Sequence, residues 1–287
     1  MNQITTCNYC ECDDLTPILQ VTDHSITNEK FELLECFCCG LIHTSPQPSE
    51  TEIGKYYQSD NYVSHSDTKE GLINKIYHIA RKIALNRKAS IISDFHKKTS
   101  LLDIGCGTGY FAAHMQRRGY TVSVMEPDPG AAEQAKQKLN VDPYTTLEAV
   151  QGTYKTITMW HVFEHVLDIN KTFEKIESLL DTDGVLVLAV PNPESPDAKL
   201  YKENWAAYDV PRHVYHYKKT VIKQIANRYD LKVHSILPMK MDSYYISMLS
   251  EKYKGGNILK AIWNGLRSNI KAGKHNTSSL IYIIERK

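Results

Sequence analysis

Leu101-Leu-Asp-Ile-Gly-Cys-Gly-Thr-Gly109 is the stretch of sequence that decides the fold. Three of its first four residues are apolar, and three glycines follow at alternate positions. Helical periodicity then begins in Tyr110-Phe-Ala-Ala-His-Met115. This order predicts a strand, a tight turn and a helix. Because glycines let a ligand approach the backbone of the turn, we expect a ligand at the helix N-terminus, beyond the carboxyl end of the strand.

Two acidic residues indicate which chemical groups that ligand carries. A β-like run over residues 121–125 ends at Glu126, where a carboxylate suits hydrogen bonds to two ribose hydroxyls. The dinucleotide fingerprint G-x-G-x-x-G would need glycine at position 110, where Tyr110 stands. Asp103, two residues before Gly105, would repel a pyrophosphate and attract a cationic ligand. The alternative is a glycine turn that binds no ligand.

At these residues the chain resembles the class I S-adenosylmethionine (SAM) methyltransferases, whose cofactor carries a sulfonium and an ammonium. The resemblance covers residues 95–287 in outline. It implies an α/β, Rossmann-like, doubly wound sheet of seven mostly parallel strands, with an antiparallel last strand inserted beside its predecessor. It also implies that SAM is held by Asp103, Gly105, Cys106, Gly107, Gly109, Glu126, Pro127, Trp160, His161 and His165.

The periodicity of the remaining chain agrees with a mainly parallel sheet. Strands alternate with helices, which favours right-handed crossover connections. The predicted strands cover residues 100–104, 121–125, 155–160, 184–190, 231–237 and 280–284, with a weak strand at 142–146. The predicted helices cover residues 71–95, 108–118, 129–139, 169–180, 219–229 and 256–274.

Cysteines cluster at the N-terminus, where six of the seven fall within the first 39 residues. The pairs Cys7-x-x-Cys10 and Cys36-x-x-Cys39 have the spacing of two zinc knuckles, and four thiolates suit tetrahedral, structural zinc. Reduced cysteines without a metal are the alternative. The residues that could replace one of the four ligands are Cys12, Cys38, His24 and His43. A reducing compartment argues against disulfides.

These signals divide the chain into three parts. Residues 1–45 form a zinc-ribbon module, and residues 46–95 form a linker and an N-terminal helical lid. Residues 96–287 form the methyltransferase domain, with acceptor-binding insertions at 191–217 and 239–276. In relatives the lid region folds over the pocket, which makes Tyr57, Tyr62 and His65 further candidates, although a surface tyrosine cluster is the favoured interpretation.

Trp160-His-Val-Phe-Glu-His165 directly follows a predicted strand. The segment matches the protease motif H-x-x-E-H, but that motif must lie on a helix, and here His161 ends a strand. It resembles instead the family motif after the fourth strand, which borders cofactor and acceptor. Helix capping by Glu164 and His165 is the alternative. The preceding strand begins Tyr154-Lys155 where many relatives carry Phe-Asp, and Thr146 or Leu147 could contact adenine, so the adenine end stays unassigned.

The acceptor is expected to meet a loop rich in aromatic and histidine residues beyond the cofactor. In that loop, residues 209–213 (Asp-x-Pro-Arg-His) resemble a motif of zinc-ribbon members of the family. A hydroxyl acceptor needs a base, for which His213 is the first candidate and His161 the second. Arg212 could anchor an acidic group of the acceptor. The alternative is a structural ion pair between Asp209 and Arg212, with His213 packed on aromatic rings.

Charge is uneven along this chain of 287 residues with net charge +1. Residues 212–287 hold 15 basic and 4 acidic residues, a surplus that suits an anionic substrate, a nucleic acid or a membrane surface. A solvated lysine-rich surface is the favoured explanation. The basic amphipathic helix 256–274 can lie on a membrane, but packing on its own protein is favoured. No apolar run is long enough to span a bilayer, and the N-terminus lacks signal-peptide features, which predicts a cytoplasmic protein.

Taken with the resemblance, these features predict an enzyme that moves a methyl group from SAM to a small-molecule acceptor at oxygen. The cysteine module resembles the N-terminal zinc ribbon of a bacterial subgroup often compared with ubiquinone-type O-methyltransferases. An RNA or DNA methyltransferase is one alternative, although no Asn/Asp-Pro-Pro-Tyr/Phe motif follows the fourth strand. A catalytically inactive SAM-binding scaffold is another. A monomer and a homodimer are equally compatible with the sequence.

Overall fold

The computed structural model describes residues 1–49, 51–56 and 72–287. Its strands are β1 (Leu15–Thr22), β2 (Lys30–Cys36), β3 (Ile42–Ser45), β4 (Ser100–Ile104), β5 (Thr121–Met125), β6 (Tyr154–Trp160), β7 (Leu180–Pro191), β8 (Tyr215–His216), β9 (Leu231–Pro238) and β10 (Ser279–Arg286). Its helices are α1 (Leu72–Ser93), α2 (Tyr110–Arg117), α3 (Pro129–Leu139), α4 (Ile169–Leu179), α5 (Pro196–Tyr201), α6 (Lys219–Arg228), α7 (Asp242–Tyr253) and α8 (Ile258–Ala272).

The larger of two sheets has the strand order β5-β4-β6-β7-β10-β9. Strands β5, β4, β6 and β7 pair in parallel, whereas β10 pairs antiparallel with both β7 and β9. The prediction of a mostly parallel sheet with an antiparallel last strand inserted beside its predecessor is therefore confirmed. The carboxyl ends of the parallel strands lie along one edge, where ligands of such sheets bind.

The predicted seventh strand does not form among the described residues. Segment 142–146 contributes only a single parallel bridge, between Tyr144 and Met125. Tyr144 donates its backbone N–H to Val124, and Glu126 donates to Tyr144, both at 2.9 Å. Pro143 has no N–H to donate, so the ladder cannot extend through it.

Helices cover both faces of the large sheet because successive strand residues point to opposite faces. Leu102, on one face, belongs to a buried cluster with side chains of α4 and α6. Leu101, on the other face, belongs to a buried cluster with side chains of α1, α2 and α3. Asp128 caps α3 and Asp168 caps α4, each through a side-chain oxygen that accepts a backbone N–H three residues later. The sheet is therefore doubly wound.

The smaller sheet has the order β1-β2-β3-β8 and is antiparallel throughout. Its fourth strand comes from far along the chain: Ile42 pairs with His216, and His43 pairs with Tyr215. The N-terminal cysteine-rich segment therefore shares a sheet with the loop that follows β7. Trp205 and Tyr201 are buried in the apolar cluster beneath this sheet.

Helices α7 and α8 form the insertion between β9 and β10, and α8 corrects one expectation. Its apolar side chains do not pack on the protein: Leu259 is 76% exposed, Trp263 64% and Ile270 72%. The buried side is instead lined by Ala261, Asn264, Gly265, Ser268 and Ala272. The predicted helix forms, but its buried face consists of small residues and not of the large apolar ones. Across the described parts of the chain, no helix combines the length and apolarity needed to cross a membrane.

Candidate active site and cysteine cluster

The glycine turn after β4 is fixed by its backbone. Gly105 and Cys106 donate their N–H groups to the carbonyl of Met125, at 2.8 and 3.1 Å. Gly105, Gly107 and Gly109 all have positive φ, which glycine adopts without strain. A Cβ on Gly105 would lie 2.5 Å from the side chain of Val162, whereas a Cβ on Gly107 would meet nothing within 4 Å. Gly105 is thus needed for packing, and Gly107 borders open space that a ligand could fill.

Glu126 closes this turn from the neighbouring strand. One carboxylate oxygen accepts the N–H of Gly107 at 2.7 Å, and the other accepts the N–H of Asp128 at 3.0 Å. Burial raises the pKa of Glu126 above its ordinary value, against the effect of these two hydrogen bonds. The adjacent Pro127 is exposed. Glu126 therefore stands at the position expected of a ribose-binding acid, with its orientation fixed by backbone donors.

Asp103 lies beneath the turn and is 2% exposed. Its Oδ1 accepts a hydrogen bond from the hydroxyl of Thr158 on β6, at 2.6 Å. Burial raises the pKa of Asp103 to about 7, although Thr158 and the charge of Lys88 act in the opposite direction. A carboxylate with so little solvent is stabilised by a cation, which is the property expected of a group that faces a sulfonium or ammonium.

Cys106 lies within the turn but is not suited to nucleophilic chemistry. Burial and the two nearby carboxyl groups raise the pKa of its thiol well above the ordinary value. The thiol donates weakly to the carbonyl of Gly107, at 3.5 Å. Since the thiolate is the nucleophile, Cys106 acts here as a small spacer.

We call the space between the glycine turn and the end of β6 the crevice. Trp160 and Lys88 form its wall on the β6 side. Trp160, at the end of β6, packs edge-on against Phe111 with ring centroids 5.4 Å apart. Nζ of Lys88 lies 4.3 Å from the Trp160 ring. Nε1 of Trp160 is buried and has no hydrogen-bond partner among the described residues, which is unusual for a buried donor. Sequence reasoning missed Lys88 because no local motif marks a residue of α1 as part of this wall.

His161 lies between two carboxylates. Its Nδ1 is 3.2 Å from Oε1 of Glu164, and its Nε2 is 3.0 Å from Oδ2 of Asp242. Burial lowers the pKa of His161, but the contacts with Asp242 and Glu164 outweigh it and raise the pKa to about 10. Both ring nitrogens then donate, which leaves no lone pair for a general base. This arrangement favours a positioning role for His161 over the role of base, for which it was the second candidate.

Glu164, His165 and His213 converge on one point, with their ligand atoms within 4.8 Å of one another. Nδ1 of His165 donates to the carbonyl of Arg212, and Nδ1 of His213 donates to the carbonyl of Ala207, both at 2.9 Å. Because carbonyls only accept, these contacts make Nε2 the basic atom of each neutral ring. Burial and the charge of His213 lower the pKa of His165 to about 4.

Glu164 adds an unsatisfied carboxylate oxygen to this cluster. Its side chain is 1% exposed, and its Oε2 has no hydrogen-bond partner within the described part of the chain. Burial alone would raise the pKa of Glu164, but the hydrogen bond from His161 and the charges of His213 and His165 lower it below its ordinary value. An ionised carboxylate here stabilises a proton on a neighbouring imidazole. The sequence leaves two interpretations of Glu164 open, helix capping with local hydrogen bonding or direct contact with cofactor or acceptor.

Arg212 and Asp209 form a buried ion pair. Nε of Arg212 donates to Oδ2 of Asp209 at 2.9 Å, and a second guanidinium nitrogen donates to Oδ1. Nη1 donates to the carbonyl of Tyr56 at 2.9 Å, and Asp23 lies 3.8 Å from Nη2. Arg212 is 1% exposed. These contacts match the structural alternative, since they direct the guanidinium toward the protein interior.

The four predicted cysteines Cys7, Cys10, Cys36 and Cys39 come together, with sulfurs within 4.8 Å of one another. The Cys7–Cys39 and Cys10–Cys36 sulfur pairs are each 3.6 Å apart. Tetrahedral zinc with Zn–S bonds of 2.3 Å would place sulfurs about 3.8 Å apart. Nε2 of His43 lies 3.3 Å from the sulfur of Cys7. The donor set therefore fits zinc, with His43 as a neighbour of one sulfur.

The spare residues of this module have other partners. Cys12 and Cys38 form a disulfide, so the expectation of reduced thiols is wrong for this pair. The reason is geometric, because the two knuckles converge and leave their Cα atoms 6.3 Å apart. His24 stacks on Tyr253, with ring centroids 4.5 Å apart. The candidate lid residues Tyr57, Tyr62 and His65 lie outside the described residues.

Comparison with known proteins decides the family. A family model for the methyltransferase domain matches residues 75–236. The chain belongs to the methyltransferase-domain family. It is similar to the ubiquinone biosynthesis O-methyltransferase of Rickettsia prowazekii, with 23% identity over 184 residues that cover 60% of this chain and 72% of the relative. A 100-residue stretch is 31% identical to the mitochondrial ubiquinone biosynthesis O-methyltransferase of Schizosaccharomyces pombe, covering 31% of this chain and 36% of the relative.

Solved structures agree on the fold. Magnesium protoporphyrin IX methyltransferase from Synechocystis, with bound S-adenosylhomocysteine, superposes with a TM-score of 0.54 at 15% identity, covering 83% of this chain and all (100%) of that one. Geranyl diphosphate C-methyltransferase from Streptomyces coelicolor gives 0.54 at 13% identity, covering 77% and 86%. This methyltransferase is therefore a class I, SAM-dependent enzyme similar to ubiquinone-type methyltransferases.

Proposed function

We propose that this enzyme methylates a small-molecule acceptor at oxygen, with a histidine as the base. The observation that carries the proposal is the pairing of two sites at one sheet edge. One is the buried Asp103 beside the open space at Gly107. The other is the Glu164, His165 and His213 cluster. The first suits a cationic methyl donor, and the second suits an acceptor that must lose a proton.

The residues that hold SAM in this proposal are those of the turn and its walls. Asp103 compensates the positive charge of SAM, and Glu126 accepts hydrogen bonds from the ribose hydroxyls. The glycines of the turn from Gly105 to Gly109 have no side chains, so the cofactor can approach the backbone of the turn. Trp160, Pro127, Cys106, His161 and His165 complete the set as lining or positioning residues. SAM supplies an electrophilic methyl group; the protein holds the acceptor oxygen in line with it.

His213 is the proposed base. Its Nδ1 is fixed as a donor to the carbonyl of Ala207, so Nε2 can take the proton that leaves the acceptor hydroxyl. The carboxylate of Glu164 stabilises the resulting imidazolium, and its Oε2 has no other partner among the described side chains. Arg212 and Asp209 hold the loop that carries His213, which is four residues from Asp209. In this proposal they position the base and do not touch the acceptor.

The decisive experiment is incubation with methyl-labelled SAM and a small-molecule extract, followed by identification of the labelled product. The proposal expects label on the oxygen of a small molecule, and an acceptor with an acidic group agrees with the basic C-terminal third. Label found only on carbon or nitrogen would refute O-methylation. Loss of labelling in Asp103→Asn, but not in Asp94→Asn, would tie the activity to the crevice.

Two other functions give different outcomes in the same experiment. A nucleic-acid methyltransferase would label RNA or DNA and bind it with a steep dependence on salt. A scaffold would bind SAM, seen by calorimetry, without labelling any component. The basic surplus of residues 212–287 is the feature that supports the first, and the engagement of Glu126 by backbone donors is compatible with the second.

Zinc, domain division, location and assembly are also proposed. Zinc would be held by Cys7, Cys10, Cys36 and Cys39, and would stabilise a segment too short to bury a core of its own.

The parts 1–45, 46–95 and 96–287 remain our division of the chain, joined by the sheet that β3 shares with β8. We keep a cytoplasmic location as a proposal, although the Cys12–Cys38 disulfide is the kind of bond that a reducing compartment disfavours. A monomer and a homodimer both fit.

A further inference from the structure

The outer face of α8 is an exposed apolar surface. Six large side chains, each at least 40% exposed, lie along it at helical spacing: Ile258, Leu259, Ile262, Trp263, Leu266 and Ile270. Single exposed apolar residues are common on proteins, but a continuous stripe of six on one helix marks an interaction surface. We call these six residues the α8 face.

The inner side of α8 shows why this face cannot turn inward. Gly265 packs against α7 so closely that a Cβ would lie 2.9 Å from the ring of Tyr244 and 3.0 Å from its Cα. Asn264 donates to the hydroxyl of Tyr201 and to Glu251, at 3.1 and 2.9 Å. Ser268 donates to Asp197 at 2.7 Å. Small and hydrogen-bonded residues therefore fix the rotation of the helix, and the large apolar residues remain outside.

Within the segment that carries the α8 face, all charged residues are basic. Residues 254–274 contain five basic residues and no acidic residue. Among them, Lys260 lies 3.4 Å from the buried carboxylate of Glu251, so the contact also holds a cation at the edge of the face. Arg267 and Lys271 follow about two and three helical turns after Lys260. Two copies of this face in contact would bring like charges together, whereas an anionic surface would attract them.

We propose that the α8 face docks the enzyme on an anionic lipid surface. A helix with a basic polar side and exposed tryptophan, leucine and isoleucine lies in the membrane interface, with its apolar side chains below the head groups. Basic residues near an anionic bilayer add electrostatic attraction to this insertion. The proposal does not depend on which acceptor is methylated.

Helix α7 connects the helix that carries the α8 face to the candidate active site. Helix α7 begins at Asp242, whose carboxylate contacts His161 on the crevice wall. Helix α8 packs on α7 and also contacts α5. Docking through α8 would therefore hold the lipid surface one helix away from the side chain that contacts His161.

Vesicle binding tests the proposal with the full chain. Cosedimentation should show the protein on vesicles of phosphatidylglycerol and phosphatidylcholine, with at least about tenfold weaker partition to phosphatidylcholine alone. Raising NaCl from about 0.1 to 0.5 M should weaken binding, since it shortens the screening length. Equal binding to both vesicle types, or none to either, would overturn the proposal.

Matched variants locate the contact. Leu259→Gln with Trp263→Gln should reduce vesicle partition by about tenfold or more, because two large apolar side chains no longer insert. Ile18→Gln, at a position 44% exposed on β1, should leave partition unchanged. Arg267→Gln with Lys271→Gln should reduce binding to anionic vesicles, and Lys223→Gln on α6 should not. Circular dichroism and SAM binding verify that each variant is folded. Equal loss in variants and controls would contradict the assignment.

Tryptophan fluorescence separates lipid docking from self-association. Brominated lipid should quench Trp263 in the parent, and Trp263→Leu should retain vesicle binding while losing most of the quenching. The other two tryptophans are not on the α8 face, since Trp205 is buried and Trp160 is half-buried at the end of β6. Sedimentation velocity without lipid should give the same oligomeric state for the parent and for Trp263→Gln, because the α8 face does not mediate self-association. A dimer that Trp263→Gln abolishes, together with absent vesicle binding, would assign the α8 face to a second copy and overturn the proposal.

Discussion

Nε2 of His161 lies 3.0 Å from Oδ2 of Asp242, a contact that joins the end of β6 to the first turn of α7. A second carboxylate, Glu164, faces the other ring nitrogen at 3.2 Å. Between two carboxylates the ring is a cation, and its pKa is raised to about 10. The contact thus links the crevice wall electrostatically to the helical insertion.

The first prediction concerns stability against pH. Because the folded pKa of His161 lies above its unfolded value of 6.5, its stabilisation is complete below pH 6.5 and is lost as pH rises toward 10. Melting temperature should therefore fall between pH 7 and 10 more steeply in the parent than in His161→Gln, as measured by calorimetry. Imidazole NMR should show no titration of His161 near pH 6.5; a normal titration there would refute the assigned charge.

The second prediction concerns the pH dependence of cofactor binding. Asp103 has a pKa raised to about 7 by burial, and a cation binds its ionised form. SAM affinity should rise as pH increases through 7, and calorimetry in buffers of different ionisation enthalpy should detect proton release. Asp103→Asn should lose most of the affinity and should raise the melting temperature of the ligand-free protein at pH 8, since the buried charge is gone. Unchanged affinity in this variant would remove Asp103 from the site.

The third prediction concerns the base. His213→Gln should lower kcat by about a hundredfold or more while SAM affinity stays within about twofold, because the lost group acts on the acceptor proton. His275→Gln, at an exposed loop position, is the control and should keep full activity. A variant that keeps the kcat of the parent would exclude His213 as base.

The fourth prediction concerns Arg212. Its guanidinium is buried against Asp209, so Arg212→Met should lower the free energy of unfolding by about 3–5 kcal/mol by leaving a buried carboxylate unpaired. Urea denaturation measures the change. A variant that keeps its stability but shows a raised KM for the acceptor would restore the anchoring role and contradict the structural one.

The fifth prediction concerns the cysteine cluster. Metal analysis should find about one zinc per chain, and chelation should lower the melting temperature. Cys36→Ser should lose the zinc, whereas Cys106→Ser, in the glycine turn, should retain it. A chain that carries no zinc and melts at the same temperature with chelator would refute the metal site.

Local patterns predicted much of the fold and part of the site. The bounds of β4, β5 and α3 follow from residue periodicity and turn chemistry, because these depend on neighbours in sequence. The spacing of the four cysteines likewise predicted that their sulfurs lie close together, which is confirmed. Lys88 and Asp242 were not predictable, since their approach to Trp160 and His161 depends on how distant helices pack.

Two errors share a physical cause. Helical periodicity in α8 revealed two faces but not which one would be buried, and the small residues around Gly265 decided that through close packing on α7. The weak strand predicted at 142–146 does not form, because Pro143 limits the segment to a single bridge. In both, backbone fit between neighbouring elements outweighed side-chain hydrophobicity.

The pairing of His43 with Tyr215 has a consequence for how the chain folds. The N-terminal ribbon is synthesised first, yet its sheet acquires its last strand only after residue 216 has left the ribosome. Until then β3 exposes unpaired backbone groups to any other strand. Capture of the proposed zinc would hold the nascent N-terminal segment in shape during that interval. A shortened chain that begins after this segment would leave β8 without its partner strand.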